Sequence, residues 1–146
     1  MTARAFEAVT LIAGSGAGAP LVLDEPLSFW GGLDPASGTI IDPRHPQHGA
    51  NVADRMLMMP GGRGSSGGSA ILAEALRLGK GPAGILMLER DAIVVVGAMV
   101  AAELYGLACP VALADSASLT LEAGPGGATI SAELRPQAPG ARRVGR

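Results

Sequence analysis

The sequence predicts one α/β domain with a partly parallel sheet, an N-terminal β segment and a C-terminal hairpin. Three observations predict it. From Arg55 to Asp115 short apolar runs alternate with runs at helical spacing, in the order strand, helix, strand, helix, strand, which implies right-handed crossovers and parallel pairing. Before Arg55 the apolar runs are short and punctuated by Gly, Pro and Asp, as β structure requires. The length, 146 residues, suits a single compact domain. We assign residues 1–135 to that domain and 136–146 to a basic, disordered tail.

The elements follow in order. "FEAVTLIAG" (6–14) and "APLVLDEPLSF" (19–29) read as strands separated by a Gly/Ala turn. "GGLDPASGTIID" (31–42) carries Gly-Gly, Asp-Pro and Ser-Gly signals, which predict a loop or hairpin. "RMLMM" (55–59) is a short buried strand. "SAILAEALRLG" (69–79) places Ile71, Leu72, Ala75 and Leu76 at helical spacing, and Gly79 stops the helix. "AGILML" (83–88) is a strand and "VGAMVAAELYG" (96–106) a helix closed by Gly106, while the β-branched run Ile93 to Val96 leaves its first turn open between strand and helix. "CPVALAD" (109–115) is the third strand of the alternation. "SLTLEAGPGGATISAEL" (118–134) predicts a hairpin about Gly124 to Gly127.

Composition narrows the function classes. Hydrophobic residues are 48% and charged ones 16% of the chain, with a net charge of −2; a disordered chain is excluded, and nothing in that balance asks for nucleic acid. The single cysteine, Cys109, rules out an internal disulfide, and alone it cannot ligate an iron–sulfur cluster or zinc. Any metal must therefore come largely from elsewhere. The start mimics a secretory signal, but Glu7 and the glycines interrupt the apolar region. The most apolar stretch, Ala92 to Ala102, stops at Glu103, well short of the roughly 20 residues that span a bilayer. A cytoplasmic protein is expected.

The chemistry centres on "PGGRGSSGGSAILAEAL", Pro60 to Leu76, where five glycines and three serines precede a helix. Unpaired amides at a helix start suit an anion, glycine allows close approach, and Arg63 adds a fixed charge. Gly62, Gly64 and Gly67 spell G-x-G-x-x-G with Glu89 further on. Pro60 and Gly61 nevertheless separate the first of these from the strand, and no second mononucleotide half follows, so a dinucleotide site is rejected. Gly62, Gly67 and Ser69 fit a phosphate-loop pattern, but Gly68 stands where lysine is required. Two readings of the serines stay open: Ser65 or Ser66 as a base whose oxyanion is favoured by the surrounding donors, or serines that only cap the helix, with Ser69 as N-cap.

"PLSFWGGLDPASGTIID", followed by "HPQHGANVADRMLMMPGGRGSSGGS" and "LAEAL", resembles the small subunit, or swivel domain, of the aconitase X family, over roughly residues 21 to 113. The resemblance implies an aconitase-like swivelling β/β/α domain that closes over a separate large subunit carrying an iron or iron–sulfur centre. It implies a hydro-lyase, a dehydratase of a hydroxylated carboxylate that is active only as a heterodimer. Carried over by position, Ser65 is the catalytic base, taking the α-proton while the partner's metal polarises the leaving hydroxyl. Arg63, Gly64 and Ser66 engage the substrate. The arginine that follows the two serines in aconitase proper is replaced by Gly67, so its role passes to no residue here. Family members act on cis-3-hydroxy-L-proline or on mevalonate 5-phosphate; the composition favours the first. The rival of another class is a non-catalytic anion-binding or scaffold module.

Other polar residues have plainer readings. His45 and His48 have metal-compatible spacing only on a helix, which Pro43 and Pro46 oppose, so they read as loop histidines; the resemblance leaves His45 a role near the subunit contact. Asp34 and Asp42 suggest a carboxylate pair, but Asp34 stands before Pro35 in a turn context and needs no catalytic role. Trp30 reads as a core filler, with packing on the partner as the alternative. Cys109 reads as an inert buried thiol.

Overall fold

A computed structural model describes residues 8–114 and 130–134. A five-stranded sheet in the order β1-β8-β7-β6-β3 forms its centre. Here β1 is Val9–Ile12, β3 Pro20–Val22, β6 Met56–Met59, β7 Gly84–Met87 and β8 Val111–Leu113. The four strands from β3 to β8 run parallel, and β1 closes the far edge antiparallel to β8. Helix α2 (Gly68–Arg77) joins β6 to β7, and α3 (Ala92–Tyr105) joins β7 to β8. The expected alternation is therefore present, with both crossovers on one face.

Period-two burial sorts the strand residues. Leu57, Met59, Ile85, Met87 and Val111 pack with Leu72, Ala75 and Leu76 of α2 and with Val94, Ala98 and Ala101 of α3. The intervening Met56, Met58, Leu86 and Ala112 form a second buried cluster, as successive side chains on opposite sheet faces must. The two helices approach closely at Gly97, where a Cβ would lie 2.9 Å from the Ser69 carbonyl oxygen and 3.1 Å from Leu72 Cβ. The β-branched run Ile93 to Val96 is helical because Asp91 caps it: Oδ1 accepts from the amides of Ile93 (2.8 Å) and Val94 (3.1 Å), satisfying donors that would otherwise be orphaned. Gly106, left-handed at φ 64°, ends the helix, with its amide and that of Leu107 returning to Ala102 and Ala101.

One expectation fails in the first third. The Gly/Ala stretch between the first two predicted strands is itself a strand, β2 (Gly14–Gly18), paired antiparallel with β9 (Ile130–Leu134). It crosses the sheet so near the starts of β6 and β7 that a Cβ on Gly16 would collide with the Ala83 carbonyl oxygen, and one on Gly18 with that of Asp54. Its glycines serve close approach rather than turning. The expected "GGLDPASGTIID" hairpin is present as β4 (Leu33–Asp34) against β5 (Thr39–Ile40). Between β3 and β4 the segment α1 (Phe29–Gly32) is a helical turn broken by Trp30 (ψ 113°) and Gly31 (φ 75°). The predicted turn at Gly124–Gly127 and the basic tail lie outside the described residues. Among the described residues no helix is long and apolar enough to cross a membrane.

Candidate functional site

Three chain segments meet beyond the carboxyl ends of the parallel strands, the edge where open α/β sheets bind ligands. The glycine loop leaves β6, the Leu88–Asp91 connection leaves β7, and the Leu23–Gly32 segment leaves β3. Backbone bonds tie them together. The amides of Leu88 and Glu89 donate to the Pro60 carbonyl at 3.2 and 3.1 Å, and the Arg63 amide donates to Leu27 at 3.3 Å. Gly62 forms an isolated parallel bridge with Leu27. This pairing puts Gly62 in an extension of the sheet, not in a tight phosphate-binding turn, which disposes of the nucleotide pattern on geometry as well.

The loop needs its glycines at identifiable places. At Gly62 a Cβ would stand 2.6 Å from Asp91 Oδ2; Gly64, at φ 95°, lies against the Ser28 side chain. Ser28 in turn donates to the Trp30 carbonyl at 3.0 Å. These contacts hold the loop flat against its neighbours and turn Arg63, Gly64, Ser65 and Ser66 out to solvent, all four exposed.

Ser65 directs its hydroxyl oxygen back toward the helix: the Gly67 amide donates to Ser65 Oγ at 3.2 Å, while the amides of Gly68 and Ser69 donate to the carbonyls of Ser65 and Ser66. The oxygen thus accepts a main-chain donor at the positive end of a ten-residue helix that has no acidic residue in its first turn. Among the described residues the Arg63 guanidinium forms neither an ion pair nor a hydrogen bond, so it is free to engage an anion. The Asp91 carboxylate, which lies against Gly62, is occupied as the cap of α3.

The structure brings Arg63, Gly64, Ser65 and Ser66 into one exposed loop and corrects the assignment of Ser69. Gly67 is the N-cap of α2, and no side chain caps it. Ser69 lies inside the first turn and donates to the Ile93 carbonyl of α3 at 2.7 Å. Trp30 is not a core filler; it is 58% exposed, with its ring lying on Gly67, whose Cβ would fall 2.6 Å from Trp30 Cε3. Ser28 and Asp91 escaped the sequence reading. The Asp91 signal was available, an Asp directly before an apolar helical run; Ser28 carries none.

The remaining candidates are structural. His45 is buried, its Nε2 lies 3.2 Å from the Glu25 carbonyl and its Nδ1 accepts from the Gln47 amide, so neither ring nitrogen is left for a metal. Asp34 accepts from the Ala36 amide and the Ser37 hydroxyl, and Asp42 from the Arg44 amide. Cys109 is fully buried, and desolvation pushes its thiol up to about 12. Among the described residues no three His, Cys, Asp or Glu side chains cluster as a metal-binding set.

Residues 5–124 match the aconitase X swivel domain family. The chain is 48% identical over 103 residues to a cis-3-hydroxy-L-proline dehydratase of Pseudomonas aeruginosa, a match that covers 70% of this chain but 18% of that protein. It is 42% identical over 88 residues to the phosphomevalonate dehydratase small subunit of Methanothermobacter thermautotrophicus, covering 60% of this chain and 67% of that one. The fold superimposes on the holo-form crystal structure of Thermococcus kodakaraensis aconitase X with a TM-score of 0.69 at 28% identity, over 77% of this chain and 81% of the other. The chain belongs to the aconitase X swivel domain family.

Proposed function

We propose that the chain is the small, swivelling subunit of an aconitase X-type hydro-lyase that dehydrates cis-3-hydroxy-L-proline, with Ser65 as the base. The observation that carries the reading is the exposed Ser65 hydroxyl at the head of α2, its oxygen accepting the Gly67 amide. The identity to the Pseudomonas aeruginosa dehydratase, 48%, supports the choice of substrate.

A serine alkoxide is ordinarily too costly near neutral pH. Here the helix dipole, the Gly67 donor and the exposed positive charge of Arg63 all favour the oxyanion over the hydroxyl. Ser65 Oγ removes the proton from the substrate α-carbon. The electron pair of that C–H bond becomes the new double bond to the β-carbon, and the β-hydroxyl leaves as water by taking up the proton now held on Ser65 Oγ, which restores the serine oxyanion. Arg63, with the amides of the loop and the Ser66 hydroxyl, holds the carboxylate, whose charge grows as the α-carbon becomes carbanionic. An iron or iron–sulfur centre would be held by the large subunit and would there supply polarisation of the departing hydroxyl.

The test mixes the chain with its large subunit and assays dehydration of cis-3-hydroxy-L-proline and of mevalonate 5-phosphate, with Ser65→Ala beside the unmutated chain. Loss of a base costs on the order of a hundredfold to ten-thousandfold in turnover. Turnover retained in Ser65→Ala removes the base and leaves the anion-binding module. Turnover of the phosphorylated substrate alone replaces the substrate while keeping the chemistry.

A further inference from the structure

Gly67 has a backbone any residue could adopt, φ −58° and ψ −18°, and yet no side chain fits there. The obstacle is Trp30. A Cβ at Gly67 would lie 2.6 Å from Cε3, 3.1 Å from Cδ2 and 3.1 Å from Cζ3 of the indole, so the ring fills the space a side chain would take. The same residue's amide donates to Ser65 Oγ.

We infer that Trp30 is a positioning residue: it presses on Gly67 and thereby fixes the amide that holds the Ser65 oxygen. This rests on the reading of Ser65 as the base. The break in α1 serves the contact, because the non-helical angles at Trp30 and Gly31 turn the indole onto the loop rather than into the core. Two further contacts brace the arrangement. Ser28 bonds the Trp30 carbonyl and abuts Gly64, and Gly68 lies within 3.6 Å, by a built Cβ, of the Trp30 backbone nitrogen. The turn 28–30 therefore touches the loop on both sides of the two serines. A large aromatic ring left 58% exposed forgoes much of the burial that would reward it in the core; positioning the loop accounts for that location.

The geometry makes Trp30 and Gly67 a coupled pair with a specific signature. Gly67→Ala displaces the ring when Trp30 is present, but in a Trp30→Ala background the added methyl has room and a permitted backbone. In the assembled enzyme each single change lowers kcat by about tenfold to a hundredfold, as a misplaced reacting group does, with KM within about threefold. The double variant is no worse than Trp30→Ala alone, and Trp30→Phe restores most of the rate. In the isotopically labelled full chain, Trp30→Ala also speeds hydrogen exchange at the Gly67 amide, a readout independent of turnover and of assembly.

Single-variant losses that multiply in the double variant overturn the inference. So does an unchanged Gly67 exchange rate, or a normal kcat in Trp30→Ala when Ser65→Ala is inactive. If Ser65→Ala instead stays active, the base assignment fails, whereas faster Gly67 exchange in Trp30→Ala still marks the clamp as real.

Discussion

The Ser69 hydroxyl of α2 donates a 2.7 Å hydrogen bond to the carbonyl oxygen of Ile93 in the first turn of α3. Both helices thus begin against each other beside the glycine loop, and the bond sits where Gly97 lets the two backbones close. Ser69→Ala is expected to cost about 1 kcal/mol, the usual net worth of one such bond, and to leave turnover of the assembled enzyme nearly unchanged. Urea unfolding and the dehydration assay check the pair of outcomes. A large loss of kcat at unchanged stability would place Ser69 in the chemistry instead.

Gly16 and Gly84 are both closely packed, but against different things. A Cβ on Gly16 meets the Ala83 carbonyl, fixed in the backbone, whereas one on Gly84 meets Met56 Cε and Sδ at 2.9 Å, the far end of a flexible side chain. Gly16→Ala is therefore expected to destabilise by about 3 kcal/mol or more and Gly84→Ala by about 1 kcal/mol, since overpacking is relieved only where something can move. The ranking of their urea midpoints is the measurement; the reverse order refutes the account of β2.

The same contrast shows what was legible in the sequence. The strands at Met56–Met59, Gly84–Met87 and Val111–Leu113 announce themselves because burial on both faces demands unbroken apolar runs. The hairpin at Leu33–Ile40 announces itself through Asp34, whose side chain accepts from Ala36 and Ser37, a turn device written in local sequence. β2 is invisible because "GSGAG" contains no strand-forming side chain: its residues were selected by the carbonyls of Ala83 and Asp54, far away in sequence. At the site the loop, its serines and its arginine were legible from spacing. The capping role expected of Ser69 fails because the residue lies inside the first turn of α2, where its hydroxyl donates across to α3. The seat of Trp30 on Gly67 could not be read at all, since it joins two elements through a broken turn.

His45 is expected to act through shape. Gln47 clips to Asp24 by two bonds, its Nε2 donating to Oδ2 at 2.7 Å and its Oε1 accepting from the Asp24 amide at 3.0 Å. His45 Nε2 meets the next carbonyl, that of Glu25. Together they anchor the chain that runs from β3 to Ser28 and Trp30. His45→Ala removes two hydrogen bonds of a buried ring and is expected to destabilise by about 1 to 3 kcal/mol, with kcat falling severalfold at most. Loss of turnover at an unchanged urea midpoint would show instead that the ring takes part in the reaction.

Cys109 is expected to be silent in the folded chain and to make folding sensitive to alkali. Its thiol, raised from 9.0 to about 12 by desolvation, stays protonated and inert toward a disulfide reagent at about pH 8, and reacts fully once the chain is unfolded, because the thiolate is the nucleophile. The sign of the linked effect follows from which state loses its proton first. Between about pH 9 and 12 the unfolded thiol ionises while the folded one does not, so the unfolded state binds fewer protons and stability falls as pH rises through that window. The loss reaches on the order of a few kcal/mol at its upper end and is absent below about pH 8. Cys109→Ala should flatten that part of the stability profile measured by urea unfolding. Rapid labelling of the native chain at about pH 8, or an alkaline fall of the same depth in Cys109→Ala, would show that burial at this position does not hold the proton.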